Sequence, residues 1–475
     1  MILHVPALMA LLSVAVCLVF QEFYAVPAFL ATALVAGLLA QALFAVRGRG
    51  RGIHRHHAML VAALSWLAVA FLGALPFLLV ARWHPVEGTI EVFATLENAF
   101  FESLSGFTAT GLTMVSHASE LPYSLQWWRS FTEWVGGVGV IVLMLAVLPP
   151  GRDALQLYYS EAREQRILPS IQSTTKAIWS VYLSYTLVGI LLLWLAGEPL
   201  WRAVNHGMTA IATGGFTITD NSLEYASTSV AMVYMVIMVL GGISFLLHYR
   251  LLWRQEMQAN TLRNAELRLF LLMLGIGGAV LWTHHGGSDS QGFAPLFHWV
   301  SALTTAGFQV SPVGQVSTTL VLWLILAMTV GAMAGSTGGG VKQIRIVYVL
   351  KGVGWRLRGI LGRPHEVLRY RLNGIPLAAG EAQHAVEAAS VLLAIWLLLM
   401  FVGVVVLLQV VPVGTRLEHV IFEMASAQGN VGLSAGLTHA DLPLPGKLVL
   451  MVAMWTGRLE IVPVLAVLFH LFARY

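Results

Sequence analysis

The sequence predicts an all-α polytopic membrane protein, and three observations carry that prediction. First, 57 % of its 475 residues are hydrophobic and only 11 % are charged, against roughly 25 % charged in an average soluble domain. Mean hydropathy is +0.77, and a water-soluble fold of this size cannot hide that much apolar surface. Second, the apolar residues form long unbroken runs, not the alternating segments of about ten residues that build a membrane β-barrel. Third, the cations sit between the runs, most of them in every second connection. A soluble enzyme is excluded by the first observation. Disorder and a collagen-like fibre are excluded by the apolar content and by 45 glycines without a three-residue period.

A span needs about 20 mostly apolar residues. In chain order, spans are expected near 3–20, 25–46, 58–81, 127–148, 177–196, 228–248, 268–283, 317–349, 386–411 and 445–473. Met1 to Phe20 has no basic start and no small-residue cleavage motif, so it reads as a retained helix. Cys17, the only cysteine, lies inside an apolar run, which excludes an internal disulfide or a cysteine metal site. A pI of 9.2 can suggest nucleic acid, but cations placed between apolar spans point to membrane lipid and to no nucleic acid. Arg47, Arg49, Arg51 and Arg55, then Arg152, Arg163, Arg166 and Lys176, then Arg250, Arg254, Arg263 and Arg268, then Lys342, Arg345, Lys351, Arg356, Arg358, Arg363, Arg369 and Arg371, and finally Arg474, fall on one side of this arrangement. The positive-inside rule makes that side, and both termini, cytoplasmic.

The opposite-side connections carry a repeat. Four of them hold a segment too short to span, followed by a glycine-rich stretch that ends at Gly111, Gly215, Gly307 or Gly432. Nine residues before these glycines stand Glu102, His206, His298 and Glu423; six before stand Ser105, Thr209, Ser301 and Ser426; five before stand Gly106, Ala210, Ala302 and Ala427; one after stand Leu112, Phe216, Phe308 and Leu433. The unit recurs at about a hundred residues and reads span, re-entrant half-helix, glycine loop, span. Repeats are expected at 53–165, 166–260, 261–372 and 373–475, with residues 1–52 as an extra N-terminal helix pair.

Non-helical backbone at membrane depth is tolerated only inside protein or along a water-filled path, so four such loops belong on one axis. Each half-helix ends at its loop, and a helix C-terminus carries partial negative charge. Four of these ends converging make a site for a cation. The candidate ligands are backbone carbonyls of Ala109-Thr110-Gly111, Thr213-Gly214-Gly215, Thr305-Ala306-Gly307 and Asn430-Val431-Gly432, since no loop places an acid between its half-helix and its glycine. An intramembrane enzyme, such as a lipid-linked transferase, is the rival reading; it needs convergent nucleophiles or a metal set that this sequence does not offer.

These motifs resemble the TrkH/KtrB/HKT superfamily of potassium transporters, its bacterial TrkH branch in particular. The resemblance rests on Thr108 to Thr113, the three later Gly-Phe or Gly-Leu loops, Trp134-Val135-Gly136-Gly137-Val138-Gly139, Gly335-Ser336-Thr337-Gly338-Gly339-Gly340-Val341-Lys342, and Gly457-Arg458-Leu459-Glu460. It covers residues 53–475. It implies four repeats in a pseudo-fourfold arrangement around a pore, a homodimer in the bacterial inner membrane, K+ as the transported ion with no cofactor, and a cytosolic TrkA-type ring that binds nucleotides. Glycine in all four loops implies preference for K+ over Na+. Glu133 departs from the family, standing where an amide is expected.

Below the loops, Gly335 to Gly340 interrupts the eighth span, and with Lys342 it is expected to form a flexible gate; it lacks the Gly-Lys-Ser/Thr ending of a phosphate loop. Arg458 lies within the last expected span. An intramembrane arginine costs about 2.5–3.5 kcal/mol on insertion scales and so faces a cavity or a partner; here it is expected to set an electrostatic barrier in the cation path. Glu102, His206, His298 and Glu423 are expected to pack their half-helices and to contact water.

Overall fold

A computed structural model describes residues 2–46, 55–84, 88–139, 171–252, 264–284, 293–362 and 368–472. The cation-rich connections at 47–54, 140–170 and 253–263, and the second half of the expected 127–148 span, lie outside the described residues. Among the described residues the chain is mostly helical, and its strands form one short hairpin, Arg371–Leu372 against Ile375–Pro376. Among the described residues, Val26–Val46, His57–Trp83, Ser173–Leu195 and Ala379–Leu408 are each long and apolar enough to cross a membrane.

The expected 268–283 span is one helix of 20 residues, Ala265–His284, the expected 3–20 span is a 16-residue helix, His4–Val19, and three further expected spans are broken at glycines or at local backbone strain. The expected 228–248 span is two helices, Thr228–Gly242 and Phe245–Leu252, bent by 98°. The carbonyls of Gly241 and Gly242 accept N–H bonds from Thr337 and Met333, so they are taken by another segment where the helix would have continued. The eighth span ends at Val330, because Gly331 adopts φ +70° and a Cβ there would lie 2.3 Å from the Gly339 carbonyl oxygen. Helix resumes only at Gln343, making the break wider than the 335–340 glycine run. The last span is also two helices, Leu444–Arg458 and Val462–Phe472, separated by Glu460 and Ile461 in left-handed conformations of +55° and +70°. Arg458 therefore ends a helix instead of lying inside one, where its charge complements the helix dipole.

Helices that follow the glycine loops start with defined caps. The hydroxyls of Ser227 and Ser317 accept the N–H groups of Val230 and Leu320, and Pro445 stands in the first turn of Leu444–Arg458, which suits proline because that N–H has no helical partner. The N-terminal pair, His4–Val19 and Val26–Val46, packs on itself and on Arg55–Trp83. Glu22, at the turn of the pair, accepts the Tyr123 and Ser124 N–H groups at 2.7 and 2.9 Å, and so caps the Tyr123–Val138 helix.

Candidate functional site: a ring of four glycine turns

The four expected half-helices are Leu96–Phe107, Leu200–Ile211, Phe293–Thr304 and Leu417–Gly429. All four end with one hydrogen-bond pattern. The residue before each glycine, Thr110, Gly214, Ala306 or Val431, donates its N–H to the carbonyl of Ser105, Thr209, Ser301 or Ser426 at 2.8–3.0 Å. The residue two before, Ala109, Thr213, Thr305 or Asn430, is left-handed with φ between 51° and 57° and donates to Gly106, Ala210, Ala302 or Ala427. This is the helix-end closure that a left-handed residue permits. The recurring columns at five and six residues before each glycine are thus the carbonyls that receive the turn.

The glycines themselves have φ of +86°, +90°, +77° and +96°. A Cβ on Gly111 would lie 2.1 Å from the Gly214 oxygen; on Gly215, 2.9 Å from the Ala306 oxygen; on Gly307, 2.1 Å from the Val431 oxygen; on Gly432, 2.2 Å from the Thr110 oxygen. Each glycine thus abuts the carbonyl that precedes the next loop's glycine, and the fourth returns to the first. Eight of the twelve expected ligand residues, two from each loop, meet in this closed ring, and the other four, Ala109, Thr213, Thr305 and Asn430, are the left-handed residues that lead into it. The repeat columns also explain why no Cβ is present: the turn needs positive φ and the neighbouring carbonyl needs the space.

The residues nine before the glycines do more than pack. Each accepts the backbone N–H of the residue three after its glycine: Met114 to Glu102 at 2.9 Å, Ile218 to His206 Nε2 at 3.0 Å, Val310 to His298 Nε2 at 3.2 Å and Ala435 to Glu423 at 2.9 Å. Carboxylate and neutral imidazole supply the same acceptor, so the column conserves a function and not a side chain. The four side chains are packed as expected, and they also brace the outgoing segment of each loop.

The first and second loops share a further, charged support that the sequence reading missed. Arg129, 1 % exposed, donates Nε to Glu102 at 2.7 Å and Nη1 to the Thr217 carbonyl at 2.7 Å, and lies over the Phe216 ring. Glu133 accepts the Phe216 N–H on both oxygens at 3.1 Å. At the junction of the fourth and first loops, Asn430 Nδ2 donates to Thr110 Oγ1 at 2.9 Å. Removing one member of a buried ion pair costs about 3–5 kcal/mol, because the other charge is left without compensation. Glu102→Gln is therefore expected to lower the thermal unfolding midpoint in detergent strongly. Glu423→Gln is expected to lower it less, since Glu423 is met by the N–H groups of Ala435 and Thr438 and the hydroxyls of Ser434 and Thr438.

Beyond the glycines lies a cavity of about 110 Å³ touched by all four loops, with Arg129 and Asp220 among its polar lining. Partial burial works to raise the Asp220 carboxyl; the Ser119 N–H and His117 outweigh it and hold the group below the usual carboxylate range.

On the other side of the ring lies the 331–342 segment. Gly339 donates its N–H to Thr305 Oγ1 at 2.7 Å and Gly340 to the Gly429 carbonyl at 3.0 Å. Phe245 donates to the Gly335 carbonyl and Ala334 to Glu266. Thr337 offers its hydroxyl to the Ile211 and Gly241 carbonyls at 2.9 and 3.0 Å. Cations hold its carbonyls: Lys342 Nζ bonds the Gly338 oxygen, and Arg458 Nη1 bonds the Thr337 oxygen at 3.1 Å while Nη2 reaches the Gly136 and Gly137 oxygens, the latter at 2.8 Å. The expected gate residues Gly335, Ser336, Thr337, Gly338, Gly339, Gly340, Lys342 and Arg458 form one contiguous assembly. Glu460 pairs instead with Arg345.

The fold and much of the sequence are shared with known proteins. The family model for TrkH, described as a cation transport protein, matches residues 27–285 and 289–472. An uncharacterised cation transporter of Methanocaldococcus jannaschii is 33 % identical over 89 % of this chain and 84 % of its own length. The Trk system potassium uptake protein TrkH of Vibrio parahaemolyticus is 31 % identical over 89 % of this chain and 88 % of its own. The crystal structure of the potassium transporter TrkH from that organism superposes with a TM-score of 0.83 at 28 % identity, covering 100 % of this chain and 99 % of the other. The chain belongs to the TrkH family of cation transport proteins, a family of membrane transporters and not of enzymes.

Proposed function

We propose that this chain passes K+ across the bacterial inner membrane through the ring of four glycine turns. The observation that carries this reading is the closure of the ring. Four half-helix C-termini, each a partial negative charge, present backbone oxygens of Thr110, Gly214, Ala306 and Val431 in cyclic order. Backbone oxygens replace a hydration shell without the strong field of carboxylates, which suits a monovalent cation. Relatives named for potassium uptake support K+ as that cation. The repeats at 53–165, 166–260, 261–372 and 373–475 are then the four quarters of a pseudo-fourfold pore, and both termini are cytoplasmic.

Flow is controlled by the 331–342 segment and Arg458, which close the path on the far side of the ring from the cavity. A homodimer and a cytosolic TrkA-type nucleotide-binding ring complete the working unit; the relatives' place in a Trk system supports partners of this kind. Growth of a K+-uptake-deficient bacterium on low K+, together with K+ flux into vesicles containing the chain, tests the reading. Absence of K+ flux with well-folded protein overturns it.

Gly339→Ala probes the gate. The added Cβ would lie 2.0 Å from the Gly429 carbonyl oxygen, so the segment must lift away from the half-helix. The expected result is higher K+ flux at unchanged K+/Na+ preference, read from reversal potentials. A change of preference without a change of flux places the segment in the filter instead.

A further inference from the structure

The 337–340 segment is polarised. Two of its N–H groups face the ring, where Gly339 and Gly340 occupy Thr305 Oγ1 and the Gly429 carbonyl, while Thr337 and Gly338 donate to the Gly241 carbonyl and Ser336 Oγ; the Thr337 hydroxyl lies 3.2 Å from the Thr213 hydroxyl. Its carbonyls at Thr337 and Gly338 receive the charges of Arg458 and Lys342. Gly429 is the last residue of its half-helix, and Thr213 and Thr305 are the left-handed residues of their turns. All these oxygens are buried. With the ring read as a cation path, they are the oxygens next in line beyond it. A backbone N–H offers such an oxygen what a K+ ion offers, partial positive charge at short range, and the Gly339 N–H on Thr305 is further polarised because Lys342 holds the carbonyl of the same peptide at Gly338.

We propose that the 337–340 segment and the permeant cation compete for Thr305 Oγ1 and the Gly429 carbonyl, so that K+ arriving through the ring releases the segment and opens the path. This rests on the reading of the ring as a K+ path. Two ligands that share oxygens exclude each other, and the exclusion is reciprocal: K+ weakens docking of the segment by the factor by which docking weakens K+ binding. The gate thereby senses whether the filter is filled, with Thr305 as the residue through which it does so.

The experiment uses the full chain in lipid vesicles, with K+ compared against N-methylglucamine, a cation too large for the ring. Amide hydrogen exchange over 337–341 is expected to be about tenfold faster in K+, within the usual range of coupling factors, and K+ efflux per unit driving force is expected to rise with K+ on the cavity side. Thr305→Val removes the shared hydroxyl: exchange should be fast in both cations and the K+ dependence of opening should flatten. Thr305→Ser, which keeps the hydroxyl, should restore wild-type behaviour. If Thr305→Val does not fold, the wild-type exchange comparison decides alone. Wild-type vesicles that pass K+ while exchange ignores K+ overturn the competition and leave the pore reading standing. Vesicles that pass no K+ at all overturn the pore reading.

Discussion

Gly111→Ser is expected to eliminate K+-selective flux and to reduce the yield of folded protein, whereas Gly215→Ser is expected to be the mildest of the four ring substitutions. From the sequence, Gly111→Ser reads as a loss of discrimination with little loss of assembly. The structure makes it heavier. Gly111 has φ +86°, and its Cβ would lie 2.1 Å from the backbone oxygen of Gly214, with the Gly214 carbonyl carbon at 3.1 Å. A left-handed non-glycine residue costs roughly 1–2 kcal/mol, and the overlap with backbone adds to this because no flexible side chain can move aside. The Gly307 and Gly432 positions meet the same obstacle at 2.1 and 2.2 Å, but Gly215 meets its neighbouring oxygen only at 2.9 Å. The order of damage is thus set by ring geometry and not by residue type. Size-exclusion yield and K+/Na+ reversal potentials for the four serine variants check it. Four equal phenotypes, or normal K+ selectivity in Gly111→Ser, overturn the assignment of these glycines to the ring.

The ring was legible in the sequence because its geometry leaves little choice of residue. Positive φ beside a neighbouring backbone demands glycine four times over, and the small residues before it accept the turn bonds in four copies. The half-helices followed, since the same columns mark their ends. The helix breaks were not legible. Hydropathy averages over a window and sees Thr228 to His248 as one apolar run, yet Gly241 and Gly242 give their carbonyls to a segment almost a hundred residues away in the chain. Likewise Glu460 and Ile461 break the last span although neither is glycine or proline. The braces were visible as a column but their bracing was not, because Glu102 and His206 look unlike until their common role as acceptors of a backbone N–H is seen. Arg129 had a usable signal. It is an arginine within an expected span, as Arg458 is, and an intramembrane arginine calls for a partner; Glu102 is that partner.

Arg458→Ala is expected to raise K+ flux several-fold and to free it from any cytosolic partner, at some cost in stability. Two physical effects point the same way. A fixed positive charge beside a narrow cation path raises the barrier for K+, the more so in low dielectric. In the proposed gating scheme the guanidinium is also a latch, because it joins the Thr337 carbonyl of the 331–342 segment to the Gly136 and Gly137 carbonyls at the end of the Tyr123–Val138 helix. Hydrogen bonds to charged groups contribute about 1.5–3 kcal/mol each, enough to hold a segment closed. Arg458→Lys separates the two effects. Lysine keeps the charge but has no planar fork with which to span carbonyls on two elements. If charge dominates, Arg458→Lys stays as closed as wild type; if the latch dominates, it conducts like Arg458→Ala. A purely structural arginine predicts a third pattern: both variants lose folded protein through uncompensated carbonyls, and neither gains flux. Thermal stability in detergent and K+ flux in vesicles, measured on the same preparations, distinguish the three.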